Sequence, residues 1–232
     1  MSLIVLNWKD LLSVDEAKDL LNEYLAGWHE GWANKDQLVI CPSNIALGRL
    51  STIPLPAGIY WGVQNLAPVM ERPLTGENGG AEVAGLGGKF VLLNHVEREL
   101  VGEDSDRLAD RILNAVSNNL TPIICATETQ LEEIIGVLLV LSSEEAKSKL
   151  LIAFEPSTAV GGVEPWALAR AEELINGWRA RFERELKIEV GFLYGGGIRA
   201  EDLRSFLGSE ALQGVLLGRL SLQPELVMQA IQ

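Results

Sequence analysis

Residues 151–163 read LIAFEPSTAVGGV, and this stretch decides how the rest of the chain is interpreted. The first four residues form a short apolar run, which is typical of a strand buried on both faces. Glu155 and Pro156 follow directly, and a loop of small residues then runs to the glycines at 161 and 162. A carboxylate at the carboxyl end of a buried strand, followed by a flexible loop, can act as a base beneath a movable cover. We therefore predict that Glu155 is a catalytic base.

The pattern of a short buried strand followed by a helical stretch recurs along the whole chain. The predicted strands cover residues 3–7, 38–41, 59–63, 90–93, 123–125, 151–154, 190–194 and 215–217. Predicted helices cover 14–28, with Ser13 as N-cap, and 43–50, 104–117, 130–149, 166–186, 201–207 and 224–231. Eight such units without a linker predict one α/β domain over residues 1–232, a (β/α)8 TIM barrel with a parallel sheet. The alternative is an open doubly wound sheet, but the first turn lacks its G-x-G-x-x-G motif.

The composition and net charge of the chain exclude some classes of binding partner. The formal net charge of −13 over 232 residues opposes binding to nucleic acid or to an anionic membrane, so an anionic substrate needs local donors. The start of the chain, MSLIVLNWKD, does not read as a signal peptide, and no apolar run reaches the roughly 20 residues of a membrane helix. Cys41 and Cys125 are predicted to be core thiols in a reducing compartment. We expect a cytoplasmic protein.

Polar side chains collect at the predicted carboxyl ends of the strands. Because that end of a barrel carries the chemistry, these side chains are candidates for one site. After the successive strands they are Asn7 and Lys9, Gln64 and Asn65, Asn94, His95 and Glu97, Glu128, Glu155, Gly195, Gly196 and Gly197, and Gly218. One lysine, one histidine and one candidate base are therefore predicted to face the same mouth.

Six ordered blocks of these residues carry a resemblance to a known family. They are NWK at 7–9, QN at 64–65, HVER at 95–98, EP at 155–156 with its loop, YGGG at 194–197 and the segment 214–222. In order and spacing the chain resembles the triosephosphate isomerase family over essentially its whole length. The resemblance implies the interconversion of dihydroxyacetone phosphate and D-glyceraldehyde 3-phosphate without metal or cofactor, in glycolysis and gluconeogenesis.

The resemblance also implies a role for each matching residue. Glu155 would move the proton, His95 would act as electrophile or acid, and Lys9 would stabilise developing negative charge. Asn7 would orient Lys9 or the substrate oxygen, and Glu97 would be the partner of Lys9. Alternatives remain: a lone histidine is often structural, and Lys9 could extend to solvent. The phosphate would be bound by the backbone at four glycines and by one arginine, namely Gly161, Gly196, Gly197, Gly218 and Arg219.

Several positions depart from the family pattern. Asn94 and Val96 replace the glycine and serine that usually flank the histidine, and Val96 removes a possible hydrogen bond to Glu155. Thr158 replaces a large aromatic residue, which removes apolar area from the loop. Gly197 replaces a serine and Arg219 a glycine. The Arg219 guanidinium could assist the phosphate or point to solvent.

The loop at residues 64–77 keeps the length of the family's dimer-forming loop. From its residues Gln64, Asn65 and Thr75 we predict a homodimer in which Thr75 approaches the partner's site; the alternative is a loop folded on its own subunit.

Two other functions stay open. One is another phosphosugar isomerase on the same barrel, and the other is a scaffold or binding protein with a weakened site. A metal enzyme is disfavoured because no His/Cys/Asp cluster has ligand spacing.

Overall fold

The structure, a computed structural model, describes residues 2–69, 74–103, 105–158 and 166–231. Eight parallel strands pair in sequence order, and the last strand pairs with the first to close a barrel. The strands are β1 Ser2–Asn7, β2 Asp36–Cys41, β3 Ile59–Val63, β4 Gly88–Leu93, β5 Thr121–Ala126, β6 Leu151–Phe154, β7 Gly191–Tyr194 and β8 Gly214–Leu217. The (β/α)8 barrel predicted from the sequence is confirmed.

Helices cover the outside of the strands. The α-helices in the described residues are α1 Val14–Gly27, α2 Asn44–Leu50, α3 Gly80–Gly85, α4 Leu108–Ser117, α5 Gln130–Val140, α6 Glu144–Ser148, α7 Leu168–Leu186, α8 Ala200–Leu207 and α9 Pro224–Ile231. Short 3₁₀ helices lie at Glu30–Asn34, Val96–Val101, Ser105–Arg107 and Arg219–Leu222.

Two helical predictions need correction. The stretch 130–149, predicted as one helix, is two helices, because Leu141 leaves the helical conformation and the Ser143 side chain caps a new start at Ala146 N–H. The stretch 104–117 becomes α-helical only at Leu108, after a 3₁₀ turn. The short α3 helix was not predicted, since its glycine-rich sequence lacks an apolar stripe.

The core has two layers that follow the alternation of side chains along each strand. One layer consists of strand residues alone, among them Leu3, Val5, Leu151 and Ala153, and it fills the barrel interior. The larger layer contains the intervening strand residues together with the buried faces of the helices. Continued by two residues, the interior series on β1 and β6 reaches Asn7 and Glu155. The same alternation that packs the barrel therefore aims both polar side chains into its mouth.

Candidate active site

Glu155 lies at the mouth of the barrel as the first residue after β6. Its backbone N–H donates to Ala126 O at 2.8 Å, which extends the strand register by one residue and fixes the side-chain direction. The side chain is buried, with Oε2 3.4 Å from His95 Nε2 and with Oε1 lacking any hydrogen-bond partner. Burial raises the pKa of this carboxyl above its ordinary value. Such a group holds its proton more firmly than a solvated glutamate and is a stronger base when ionised.

His95 faces Glu155 from the start of the 3₁₀ helix Val96–Val101. Its Nδ1 accepts a hydrogen bond from the backbone N–H of Glu97 at 3.3 Å, a contact that favours the tautomer without a proton on Nδ1. The proton is then on Nε2, the ring atom that points toward Glu155 and into the cavity. His95 is buried like Glu155, and this geometry suits donation of a proton or hydrogen bond to a bound oxygen.

Lys9 brings a positive charge to the same mouth. Its backbone is left-handed, with φ at 54°, and it is fixed from both sides: Asn7 Oδ1 accepts from its N–H at 3.1 Å, and Gln64 Nε2 donates to its carbonyl at 2.7 Å. The side chain is 25% exposed and its ammonium pairs with the Glu97 carboxylate. Lys9 therefore does not extend freely to solvent, and Asn7 orients Lys9.

Glycine is needed after β7 because neighbouring side chains come close to the backbone there and because one residue has a positive φ. A Cβ atom on Gly195 would lie 2.9 Å from Glu155 Cγ, and one on Gly196 would lie 2.6 Å from the Tyr194 hydroxyl. Gly197 has a φ of 60°, which favours glycine. After β8, a Cβ atom on Gly218 would lie 3.8 Å from Lys9 Cε, so this loop is close to the lysine side chain. The Glu155 side chain can therefore occupy this position because residue 195 has no side chain.

One cavity of about 410 Å³ joins these groups. Among the residues predicted for the site, its lining includes Asn7, Lys9, His95, Glu155, Gly197, Gly218 and Arg219. Glu97 contributes through Lys9, and Gly196 lies behind the lining beside Tyr194. Gly161 lies outside the described residues. Asn65 and Thr75 are not in the lining, since Asn65 Nδ2 donates to Glu103 at 2.9 Å and Thr75 is exposed on the surface.

The sequence did not predict two contributions to the site. Gln64 was predicted as a strand-end candidate and as a residue of the dimer loop, but its hydrogen bond to the Lys9 carbonyl was not predicted, because no sequence pattern indicates a side chain that bonds a distant backbone. Trp166 was predicted only as the start of a helix. Its indole packs edge-on against Phe154, with centroids 5.6 Å apart, and its Nε1 donates to Thr158 Oγ1 at 3.0 Å. Position 158 lacks the usual aromatic residue, but the indole of Trp166 packs beside it. The size of this side chain so close to the loop was the feature of the sequence that could have indicated the contact.

Trp166 is also attached through its backbone. Its N–H donates to the Tyr194 hydroxyl at 2.9 Å, and burial raises the pKa of Tyr194 to about 12, so the phenol stays protonated at neutral pH. On the other side of the indole, the Arg170 guanidinium stacks 3.6 Å from the ring centroid. Both described ends of the segment that follows Glu155 are therefore fixed close to β6 and β7.

The remaining chemistry-bearing groups are placed as follows. Cys41 and Cys125 are buried free thiols, and burial raises the pKa of both. Across the described ranges, no group of three or more His, Cys, Asp or Glu side chains is arranged to hold a metal ion. No helix in those same ranges is long and apolar enough to cross a membrane.

A closed (β/α)8 barrel with a carboxylate, a neutral imidazole and an ammonium at its carboxyl-terminal mouth defines an acid–base site of the kind found in barrel isomerases. The sequence model described as "Triosephosphate isomerase" matches residues 2–232. The chain belongs to the triosephosphate isomerase family and is an isomerase, so the recognition made from the sequence is confirmed.

Curated relatives agree with this assignment. A protein of Magnetococcus marinus named triosephosphate isomerase is 30% identical over 240 residues, covering 96% of this chain and 94% of its own. Proteins with the same name from Mesomycoplasma hyopneumoniae and Chloroflexus aurantiacus are 28% and 27% identical, and each alignment covers about 95% of both chains. The similarity extends over nearly the full length of each protein.

Proposed function

We propose that the protein interconverts dihydroxyacetone phosphate and D-glyceraldehyde 3-phosphate by proton transfer through an enediolate. One observation carries the proposal: the Glu155 carboxylate is 3.4 Å from His95 Nε2, inside the cavity that Lys9 also lines. A base, a hydrogen-bond donor and a fixed positive charge are the groups that moving a proton next to a carbonyl requires.

Glu155 takes the proton in this mechanism. Its carboxyl group lines the cavity beside His95, where it can reach a proton on carbon. The protonated carboxyl then returns the proton to the neighbouring carbon. The substrate hydroxyl proton passes by way of His95 Nε2 to the former carbonyl oxygen, and the two transfers together exchange ketone and aldehyde. Closing the site against water keeps the proton on Glu155 between the two steps.

His95 and Lys9 act on the oxygens. The Nε2–H of His95 donates to the carbonyl oxygen as negative charge develops there, and the Lys9 ammonium adds electrostatic stabilisation. Glu97 holds the Lys9 ammonium in place. Asn7 and Gln64 fix the left-handed backbone from which that side chain leaves.

The phosphate binds at the β7 and β8 loops. Backbone N–H groups near Gly196, Gly197 and Gly218 can approach an anion closely, and Gly161 would add another from the loop after Glu155. Arg219 lines the same cavity and would add its positive charge to that of Lys9 in this strongly acidic chain. No cofactor is needed for this reaction.

The test is triose-phosphate interconversion by the purified protein beside Glu155→Gln, which keeps the shape of the base and removes its charge. We expect kcat to fall by about 10²–10⁴-fold, the usual contribution of a positioned general base. Glu144→Gln, on the exposed helix α6, is the matched control and should keep full activity. A parent without triose turnover but with an intact circular dichroism spectrum would instead support a scaffold, or an isomerase of other phosphosugars if those are turned over.

The proposed assembly is a homodimer in the cytoplasm, serving glycolysis and gluconeogenesis. Apolar side chains stay exposed on the segments that follow β1 to β4, along one edge of the mouth, and Thr75 lies exposed in the same region. A second copy covering this edge would bring Thr75 close to its partner's cavity. The net charge of −13 disfavours nucleic acid and anionic membranes as partners.

A further inference from the structure

Gln130 is a buried polar residue at the first position of α5, outside the cavity. It is 8% exposed, and its amide is engaged at both ends. The carbonyl oxygen accepts from the Thr127 backbone N–H at 2.9 Å and from the Thr127 hydroxyl at 3.0 Å. The amide nitrogen donates to Glu99 Oε1 at 2.6 Å. Gln130 thus joins the turn after β5 to a residue of the turn after β4.

Glu99 lies in the 3₁₀ helix Val96–Val101, which begins directly after His95. A hydrogen bond from an amide to a carboxylate is stronger than one between neutral groups, so this contact holds the 3₁₀ helix firmly. The same helix presents the Glu97 N–H that fixes the His95 tautomer. On the other side of His95, Asn94 Nδ2 donates to Cys125 O at 3.2 Å, at the end of β5. Both flanks of His95 are therefore tied to β5 and its turn.

The turn after β5 also contacts the chain that follows the base. Glu128 Oε2 accepts from the Ser157 backbone N–H at 3.0 Å, two residues beyond Glu155. β5 lies between β4, which leads to His95, and β6, which leads to Glu155. One turn therefore holds the peptide segments that carry both groups.

We propose that Gln130 is a positioning residue: its hydrogen bonds to Glu99 and Thr127 set the placement of the His95 ring opposite Glu155. The inference rests on the proposed function, because His95 acts on the substrate only in that reaction. Gln130 itself contacts no reacting atom. Its effect passes through Glu99 and the 3₁₀ helix to the ring.

The first test changes Gln130 alone and then exchanges the side chains of Gln130 and Glu99. Gln130→Glu keeps an acceptor for Thr127 but replaces the donor to Glu99 with a second carboxylate, so the two side chains repel each other. We expect kcat to fall about tenfold with KM changed less than twofold, since small displacements of a catalytic group cost rate rather than binding. The double variant Glu99→Gln/Gln130→Glu restores one donor facing one acceptor, and kcat should return to within about threefold of the parent.

The second test observes the ring without turnover. The chain has only two histidines, so imidazole nitrogen NMR reports His95 beside a single other ring. His29 packs edge-on against Trp32, 4.8 Å between centroids, in the 3₁₀ segment before β2, and serves as internal control. We expect the His95 nitrogen resonances to move in Gln130→Glu and to return in the double variant, with His29 unchanged throughout.

These readouts separate the two proposals. A parent inactive on triose phosphates overturns the proposed function, whereas the NMR comparison still reports whether Gln130 positions His95. Unchanged His95 resonances in Gln130→Glu, or a loss of kcat that the exchange does not recover, would overturn the positioning role. Ser143→Ala, which removes the cap of α6, is the control for a merely structural effect and should lower thermal stability without changing kcat.

Discussion

At the scale of single residues, Asn94 shows how a departure from the family pattern is tolerated. Its φ is 59°, a left-handed conformation in which asparagine is the best accepted residue after glycine. Asn94→Ala should therefore cost about 1–2 kcal/mol of unfolding free energy, whereas Asn94→Gly should lose only the bond to Cys125 O. Urea unfolding measures both.

Asn119 is a matched control for that prediction, since its φ is 58° and it is exposed before β5, away from the cavity. Asn119→Ala should show a similar stability loss with unchanged kcat, whereas Asn94→Ala should also slow turnover because His95 is the next residue. Equal stability of the alanine and glycine variants at 94 would contradict the conformational explanation.

Glu155 is the residue whose environment sets the dependence on pH. Since burial raises its pKa, the acid limb of the kcat/KM profile should lie above the ordinary glutamate value of about 4.3. The stability sign follows from linkage: the contribution of a carboxyl with a raised folded pKa is fully present below its unfolded pKa and is lost as the pH rises through the folded pKa.

Glu155→Gln should accordingly unfold at a higher temperature than the parent at pH 8. The difference should shrink as the pH falls toward 4, because the parent carboxyl is then protonated as well. Thermal unfolding monitored by circular dichroism across this range measures it. An advantage that stayed constant with pH would show that the buried charge is not its source.

At the scale of elements, the eight strands were predictable and several helices were not. Short apolar runs bounded by polar residues locate each strand within two residues, because a parallel strand buried on both faces reads as such a run. Helix ends depend on single contacts instead: Ser143 starts α6 inside an unbroken helical pattern, and only the fold shows that this cap is used.

The site was predictable to the same extent. Residues at strand ends, such as Lys9 and Glu155, follow from alternation along the strand and from the rule that barrels carry their chemistry at one mouth. The role of Gln64 and the involvement of Gln130 could not be predicted in this way, since each acts through a hydrogen bond to a residue distant in the sequence. The contact between Thr158 and Trp166 likewise depends on how two ends of a loop meet.

That contact yields a prediction about the loop after β6. Trp166→Phe removes the indole N–H donor but keeps a ring against Phe154, and Thr158→Val removes the acceptor. Each variant should lose about 1 kcal/mol, and the double variant should lose little more, because both remove the same hydrogen bond. A double-mutant cycle from urea unfolding measures the coupling; strictly additive losses would mean that the bond does not form in solution.

At the scale of the whole molecule, exposed apolar side chains mark one edge of the barrel mouth as a candidate interface. In the segments that follow β1 to β4, five apolar side chains are 49–84% exposed, namely Leu11, Ile45, Val69, Leu100 and Val101. From the proposed homodimer we expect light scattering at micromolar concentration to give twice the 25.3 kDa chain mass. Ile45→Glu should shift the mass toward a single chain, since a charge would be buried without a partner.

Val140 on α5 provides the comparison, because it is 79% exposed, as Ile45 is, yet lies outside that edge of the mouth. Val140→Glu should leave the mass unchanged. A single-chain mass for the parent would refute the dimer and would leave the loop at 64–77 folded on its own subunit.

The pairing of β1 with β8 also bears on how the protein is made. Leu3 pairs with Gly214, so β1 waits for the eighth strand of the barrel to be synthesised before both of its edges are satisfied. During that interval an unpaired strand edge is a template for aggregation, and nascent chains of this kind are natural clients of chaperones. Lys9 follows β1 and Gly218 follows β8, so their side of the cavity does not exist until the eighth strand has been added. Synthesis of the final unit therefore both seals the ring and completes the site.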